Sequence, residues 1–103
     1  MQYCSIYITT GDEDEARRIG RTLVGEKLAA CVNILPIKSV YRWEENVEEE
    51  GEVAMFVKTR AELADKVIER VKELHSYEVP CIVSLPIANG NPDYLKWIEE
   101  STT

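Results

Sequence analysis

His75, Cys31 and Cys81 offer soft and borderline donors that suit copper or zinc, and Glu78 adds an oxygen. His75, the one histidine, stands in Leu74-His75-Ser76-Tyr77-Glu78-Val79-Pro80, where a long amphipathic run gives way to an apolar segment. Imidazole ligates metals and titrates near neutrality, and a helix C-terminus favours a cation. The other role open to His75 is to cap the last carbonyls of its own helix. The set expected to meet a metal is His75, Cys31 and Glu78; for each cysteine the competing role is that of a small buried hydrophobe. No GxSxG elbow, glycine-rich phosphate loop or HExxH helix is present. A Cys31–His75 thiolate pair is the residual enzymatic arrangement, and the expectation is that the protein is not an enzyme.

These residues need elements to position them. Tyr3, Ser5, Tyr7 and Thr9 alternate with Cys4, Ile6 and Ile8, which predicts a strand over residues 2–10. Asp12 with Glu15 reads as a capping box, followed by a helix with Ala16, Ile19, Gly20, Leu23 and Val24 on one stripe and Gly25 near its end. Residues 31–43 predict a second strand, bulged or at an edge because Pro36 removes a donor. Its partner is expected over residues 51–59, with the acidic stretch 44–51 as a solvated hairpin tip that is paired for part of its length. Thr59 with Glu62 reads as a second capping box, opening a helix that buries Leu63, Val67, Ile68, Val71 and Leu74. A buried strand at 82–87 and a short helix behind Asn91-Pro92 complete the order.

The chain has 103 residues, 45% of them hydrophobic, enough for one domain spanning 1–103 without disulfide support. Twelve Lys and Arg against nineteen Asp and Glu give a net charge of -7, which opposes binding to nucleic acid or an anionic membrane and favours cationic partners. The three cysteines are odd in number and lack CxxC pairing, pointing to a reducing compartment. No signal sequence and no bilayer-length apolar run is recognisable, and the expected location is cytoplasmic.

An order of strand, helix, strand, strand, helix, strand and a terminal helix is that of an α+β, ferredoxin-like βαββαβ sandwich, with both main helices on one face of an antiparallel sheet. The strands are apolar on both faces, so the uncovered face predicts self-association.

Several stretches then carry a resemblance: Lys27-Leu28-Ala29-Ala30-Cys31-Val32-Asn33-Ile34, Ser39-Val40-Tyr41-Arg42-Trp43-Glu44, Glu52 with Lys58-Thr59, the His75 segment, and Asp93-Tyr94-Leu95-Lys96-Trp97-Ile98. In that order and spacing they resemble the CutA family of divalent-cation-tolerance proteins over nearly the whole length. The resemblance implies a homotrimer similar to that of the PII signalling proteins, in which the long second and third strands pair with neighbours. It also implies a link to tolerance of copper or another divalent cation, with no organic cofactor. Polar and aromatic residues that such proteins gather in clefts between subunits match Tyr41, Trp43, Lys58, Thr59 and Tyr77, beside His75 and Glu78. The family's copper ligands, a cysteine ending the first strand and adjacent histidines after the second helix, correspond here to Thr9 and Leu74-His75; Ser76, Cys81 and Glu45 also depart from the pattern. The glycine usual in this hairpin is replaced by Glu45, which leaves the turn type open, and Asn46 can adopt a left-handed conformation there at little penalty.

Two functions follow: a trimer that binds or responds to divalent metal, and a PII-like small-ligand sensor or interaction module built on the aromatic and charged cleft residues.

Overall fold

Along β1 (Tyr3–Thr10) the alternation read from the sequence separates two surroundings: Cys4, Ile6 and Ile8 are buried, while Tyr3, Ser5 and Tyr7 are half-exposed. The computed structural model, which describes residues 1–103, continues with α1 (Glu13–Gly25), β2 (Cys31–Trp43), β3 (Asn46–Arg60), a 3-10 turn (Ala61–Leu63), α2 (Ala64–Leu74), β4 (Ile82–Ile87) and α3 (Pro92–Glu100). All strand pairs are antiparallel, in the order β2-β3-β1-β4. This is the ferredoxin-like α+β arrangement expected from the element order.

The core lies between one sheet face and the two main helices. Cys4, Ile6, Ile8, Met55 and Val57 meet Ala16, Ile19 and Leu23 of α1 and Val67 and Val71 of α2. Asp12 caps α1 as its spacing predicts, Oδ1 accepting from the Glu15 N–H at 2.8 Å, and Glu13, Asp14 and Glu15 sit at the positive end of the helix dipole. Gly20 lets α1 approach β2 closely: a β-carbon there would stand 3.4 Å from Val32 Cγ1.

β4, expected to be buried, instead exposes Val83, Ser84, Leu85 and Pro86, because no helix covers its outer face; three further expectations change. The second capping box does not form, because Thr59 and Arg60 remain in β3; Thr59 is fully buried opposite Cys4 and its hydroxyl donates to Leu28 O at 2.6 Å. The helical segment begins instead through the 3-10 turn, without a side-chain cap. Second, the acidic stretch, expected to pair for part of its length, pairs over most of it: β3 starts at Asn46, and Glu48, Glu49 and Glu50 pair with Tyr41, Val40 and Ser39. The turn shrinks to Glu44 and Glu45, with φ of 48° and 72°, the two positive angles of a type I′ hairpin. Third, Asn46 therefore pairs with Trp43 instead of occupying a left-handed position.

β2 takes the predicted range and, as Pro36 requires, lies at the sheet edge. With β3 it outruns both β1 and the helices. On the sheet face away from α1 and α2, Leu35, Tyr41, Trp43, Val83 and Leu85 are exposed. α3 covers only the end of that face, where Tyr3 Oη donates to Glu99.

Glutamate in a left-handed conformation costs about 1–2 kcal/mol, of which glycine's own chain entropy returns part. Glu45→Gly is therefore expected to raise stability by about 0.5–1 kcal/mol, read as a higher urea midpoint at unchanged slope.

Candidate functional site

His75 closes α2 as its C-cap, its backbone N–H bonding to Val71 O at 2.8 Å, so its place at the helix end is as the sequence implies. Its side chain does not reach solvent. The imidazole is fully buried, Nε2–H donating to Thr9 O at 2.7 Å and Nδ1 accepting from the Tyr77 N–H at 3.0 Å. Both ring nitrogens thus serve the backbone, joining the end of β1 to the segment that follows α2. The Tyr77 ring stacks at a tilt on the imidazole, centroids 4.7 Å apart.

Glu15 completes this junction. Its Oε2 accepts from the Ser76 N–H at 2.7 Å and lies 3.6 Å from His75 Nδ1, while Oε1 accepts from the Gly11 N–H at 3.3 Å. The residue read as the second half of a capping box therefore fastens α1 to the loop carrying Tyr77 and Glu78. Burial acts to raise the Glu15 pKa, but the hydrogen bonds from Ser76 and Gly11, with His75 nearby, outweigh it and hold the carboxyl below its ordinary value.

In front of the junction, between the outer half of the β2–β3 hairpin and residues 77–81, is a cavity of about 790 Å³. Tyr7, Tyr41, Trp43 and Tyr77 give it aromatic walls; Glu48, Glu50, Glu52 and Glu78 give it four carboxylates against the single ammonium of Lys38; Cys81 stands exposed at its margin. Tyr77 Oη donates to Glu52 at 2.7 Å and Tyr41 Oη to Glu50 at 2.9 Å. Burial first, then the bond to Glu52 and the neighbouring carboxylates, push the Tyr77 hydroxyl well above the usual phenol range. The bond to Glu50, followed by burial, raises that of Tyr41. Such a lining attracts cations and offers ring faces to a small molecule.

The structure gathers part of the expected constellation. Tyr41, Trp43, Tyr77 and Glu78 line this cavity and His75 lies directly behind it. Cys31, Lys58 and Thr59 do not come near. Cys31 pairs with Lys58, which pairs with Ser5, four strand positions or roughly 13 Å from Thr9. There Lys58 bonds to Asn33, and Cys31 lies beside Tyr94, whose hydroxyl is raised by burial first and then by the thiol. The trio His75, Cys31 and Glu78 is thus separated, and no three His, Cys, Asp or Glu side chains of the chain converge as a metal site. Lys38, Glu48, Glu50 and Tyr7 carried no assignment in the sequence. No period marked the carboxylates in the sequence, because Glu49 breaks the alternation of Glu48, Glu50 and Glu52.

Because the folded-state pKa of Glu15 is depressed, its contribution is complete above the unfolded glutamate value of about 4.3 and is lost as pH falls towards the folded value. Glu15→Gln is expected to be less stable than the parent at pH 7. Urea midpoints measured down to pH 3 should converge for the two proteins.

Comparison with known proteins gives one family. The model of the CutA1 divalent ion tolerance protein matches residues 4–101. Divalent-cation tolerance proteins CutA of Archaeoglobus fulgidus and Thermus thermophilus are 50% and 51% identical, over 93% and 94% of this chain and 94% and 95% of theirs. Among solved structures, CutA1 from Oryza sativa superposes with a TM-score of 0.96 at 41% identity, covering 100% of this chain and 95% of that one. The Archaeoglobus fulgidus structure, described as a periplasmic divalent cation tolerance protein, gives 0.94 at 48% identity, covering 96% and 97%. With the ferredoxin-like sheet, the extended β2–β3 hairpin and these matches together, the chain belongs to the CutA1 divalent ion tolerance family.

Proposed function

We propose that the protein acts in divalent-cation tolerance, copper among the cations it meets, as a homotrimer of the cytoplasm. The observation that carries this reading is an acidic cavity adjoining an uncovered apolar sheet face: Glu48, Glu50, Glu52, Glu78 and the Cys81 thiol collect beside exposed Leu35, Tyr41, Trp43, Val83 and Leu85. Apolar area left in water costs about 25 cal/mol per Å², and a second and third copy of the chain supply the complementary surface. The family name supports the cation, and three cysteines without a disulfide support a reducing compartment. No helix is long and apolar enough to cross a membrane.

The donors within one chain do not fit a complete coordination shell. His75 has no nitrogen to spare, Cys31 lies at the far end of the sheet, and no three potential ligands converge. Glu78 is the member of the expected trio that opens into the cavity, and Cys81 is the thiol placed to join it. In this reading a metal ion is bound only where the cavities of neighbouring subunits meet.

The small-ligand alternative is favoured by one specific feature, the ring walls of Tyr41 and Trp43 in the same cavity.

Light scattering at micromolar concentration should return three times the 11.8 kDa mass of the chain, and Leu85→Glu, which places a charge on the exposed apolar face, should lower it. Copper titration of the tag-free protein should show binding weakened at least tenfold in a Glu78→Gln, Cys81→Ser double variant. A monomeric parent, or copper binding equal in parent and double variant, overturns the reading.

A further inference from the structure

Residues 76–80 make no backbone–backbone hydrogen bond; they follow α2 largely as a run of bends, and pairing with β1 resumes at the bond from the Thr9 N–H to Cys81 O, 3.3 Å long. Side chains hold them instead. The Ser76 N–H donates to Glu15 Oε2 at 2.7 Å, the Tyr77 N–H to His75 Nδ1 at 3.0 Å, and the Tyr77 hydroxyl to Glu52 Oε2 at 2.7 Å. A segment fastened at so few points opens locally when one of them is lost.

The His75 fastening is the one that a proton cancels. Thr9 O only accepts and the Tyr77 N–H only donates, so the bonds at 2.7 and 3.0 Å require the neutral imidazole, with its hydrogen on Nε2 and a lone pair on Nδ1. In the imidazolium both ring nitrogens carry hydrogens, and Nδ1–H would face the Tyr77 N–H, donor against donor. A second acceptor stands beside it. Glu15 Oε2 is 3.6 Å from Nδ1, too far for a hydrogen bond, and a small rotation of the ring closes that gap to the about 2.7–2.9 Å of a charge-assisted one. Burial works against the Glu15 charge, but the bonds from Ser76 and Gly11 outweigh it and keep the carboxyl below its ordinary value, so Glu15 is ionised in the range where imidazole ordinarily takes up a proton.

The other groups around the ring leave this exchange to Glu15. α1 also brings Arg18, whose guanidinium is engaged with Leu74 O at 3.3 Å. β1 presents the Thr9 carbonyl, and β3 presents Glu52, which acts on the ring through Tyr77. On α2, Lys72 and Glu73 pair with Glu69 and Arg70, and Glu78 of the loop is exposed.

We propose that this junction is a proton-operated latch: when His75 takes up a solvent proton at Nδ1, that nitrogen turns from the Tyr77 N–H to Glu15 Oε2, and residues 76–80 are released from the end of β1. Nε2–H stays on Thr9 O throughout, so the helix end keeps its place on the sheet. The freed Tyr77 N–H meets water, since Ser76 and Glu78 on either side of it are exposed. Tyr77, Glu78, Val79 and Cys81 form one wall of the cavity, and the latch makes the shape of that wall depend on pH, whatever the cavity holds.

The test is nuclear magnetic resonance of the full-length protein between pH 8 and pH 4.5, in which His75, the single histidine, gives unambiguous imidazole nitrogen signals. At pH 8 they should report the Nε2–H tautomer. As the ring titrates, hydrogen exchange of the Tyr77 amide, corrected for its intrinsic dependence on pH, should quicken at least tenfold, while the His75 amide, bonded to Val71 O, keeps its protection. In Glu15→Gln the His75 midpoint should fall by about half a pH unit or more, and the Tyr77 step should move with it. In His75→Gln, whose side chain takes up no proton, the step should vanish. Should His75→Gln not fold, the shift in Glu15→Gln decides. A ring that stays neutral until the protein unfolds, Tyr77 exchange unchanged across the titration, loss of His75 amide protection in the same step, or an unmoved midpoint in Glu15→Gln overturns the proposal.

Discussion

A four-stranded sheet clothed on one face only is the constraint on which the rest of this structure depends. α1 and α2 bury Ile6, Ile8, Met55 and Val57, and nothing comparable covers the opposite side, where α3 reaches only the end of the sheet at Tyr3. The two long strands extend the uncovered face further, since β2 has 13 residues and β3 15, against 8 for β1. Aromatic, aliphatic and acidic side chains share that surface because a strand sends alternate residues to each face, and the outer hairpin has no helix beneath it. The cavity follows directly from this overhang.

What gives the cavity a defined wall is a junction of short polar bonds. His75 holds Thr9 to Tyr77, and Glu15 holds Gly11 to Ser76, so that β1, the start of α1 and the loop after α2 are tied at one point. Every buried side-chain nitrogen and oxygen has a partner, in keeping with the cost of leaving such groups unsatisfied. The histidine that looked chemically available is spent on architecture: it orients Tyr77 and, through Tyr77, Glu52.

Much of the fold was legible because local signals and tertiary needs agree there. Asp12 caps where its spacing says, β2 runs from Cys31 to Trp43, and Pro36 finds the edge. The first half of β3 was not legible: Glu48, Glu49 and Glu50 lack the apolar alternation of a half-buried strand, and they are held by their partner strand instead of by burial. Thr59 was misread for the converse reason. Its hydroxyl suits a helix cap, yet the next turn of chain continues the ladder with β1 and the hydroxyl bonds to Leu28 O. Of the site, Tyr41, Trp43, Tyr77 and Glu78 could be picked out as residues. The separation of Cys31 and Lys58 from them depends on sheet register, which no short stretch of sequence encodes.

The unpaired edge of β2 has a consequence for solubility. A strand of 13 residues with one side open is a template onto which further chains can add, the route by which sheets grow into fibrils. Pro36, lacking an N–H, divides that template into segments of five and seven residues, Cys31–Leu35 and Ile37–Trp43. Each is long enough to dock a fixed neighbour, while their interruption works against the endless in-register stacking that would take the protein out of solution.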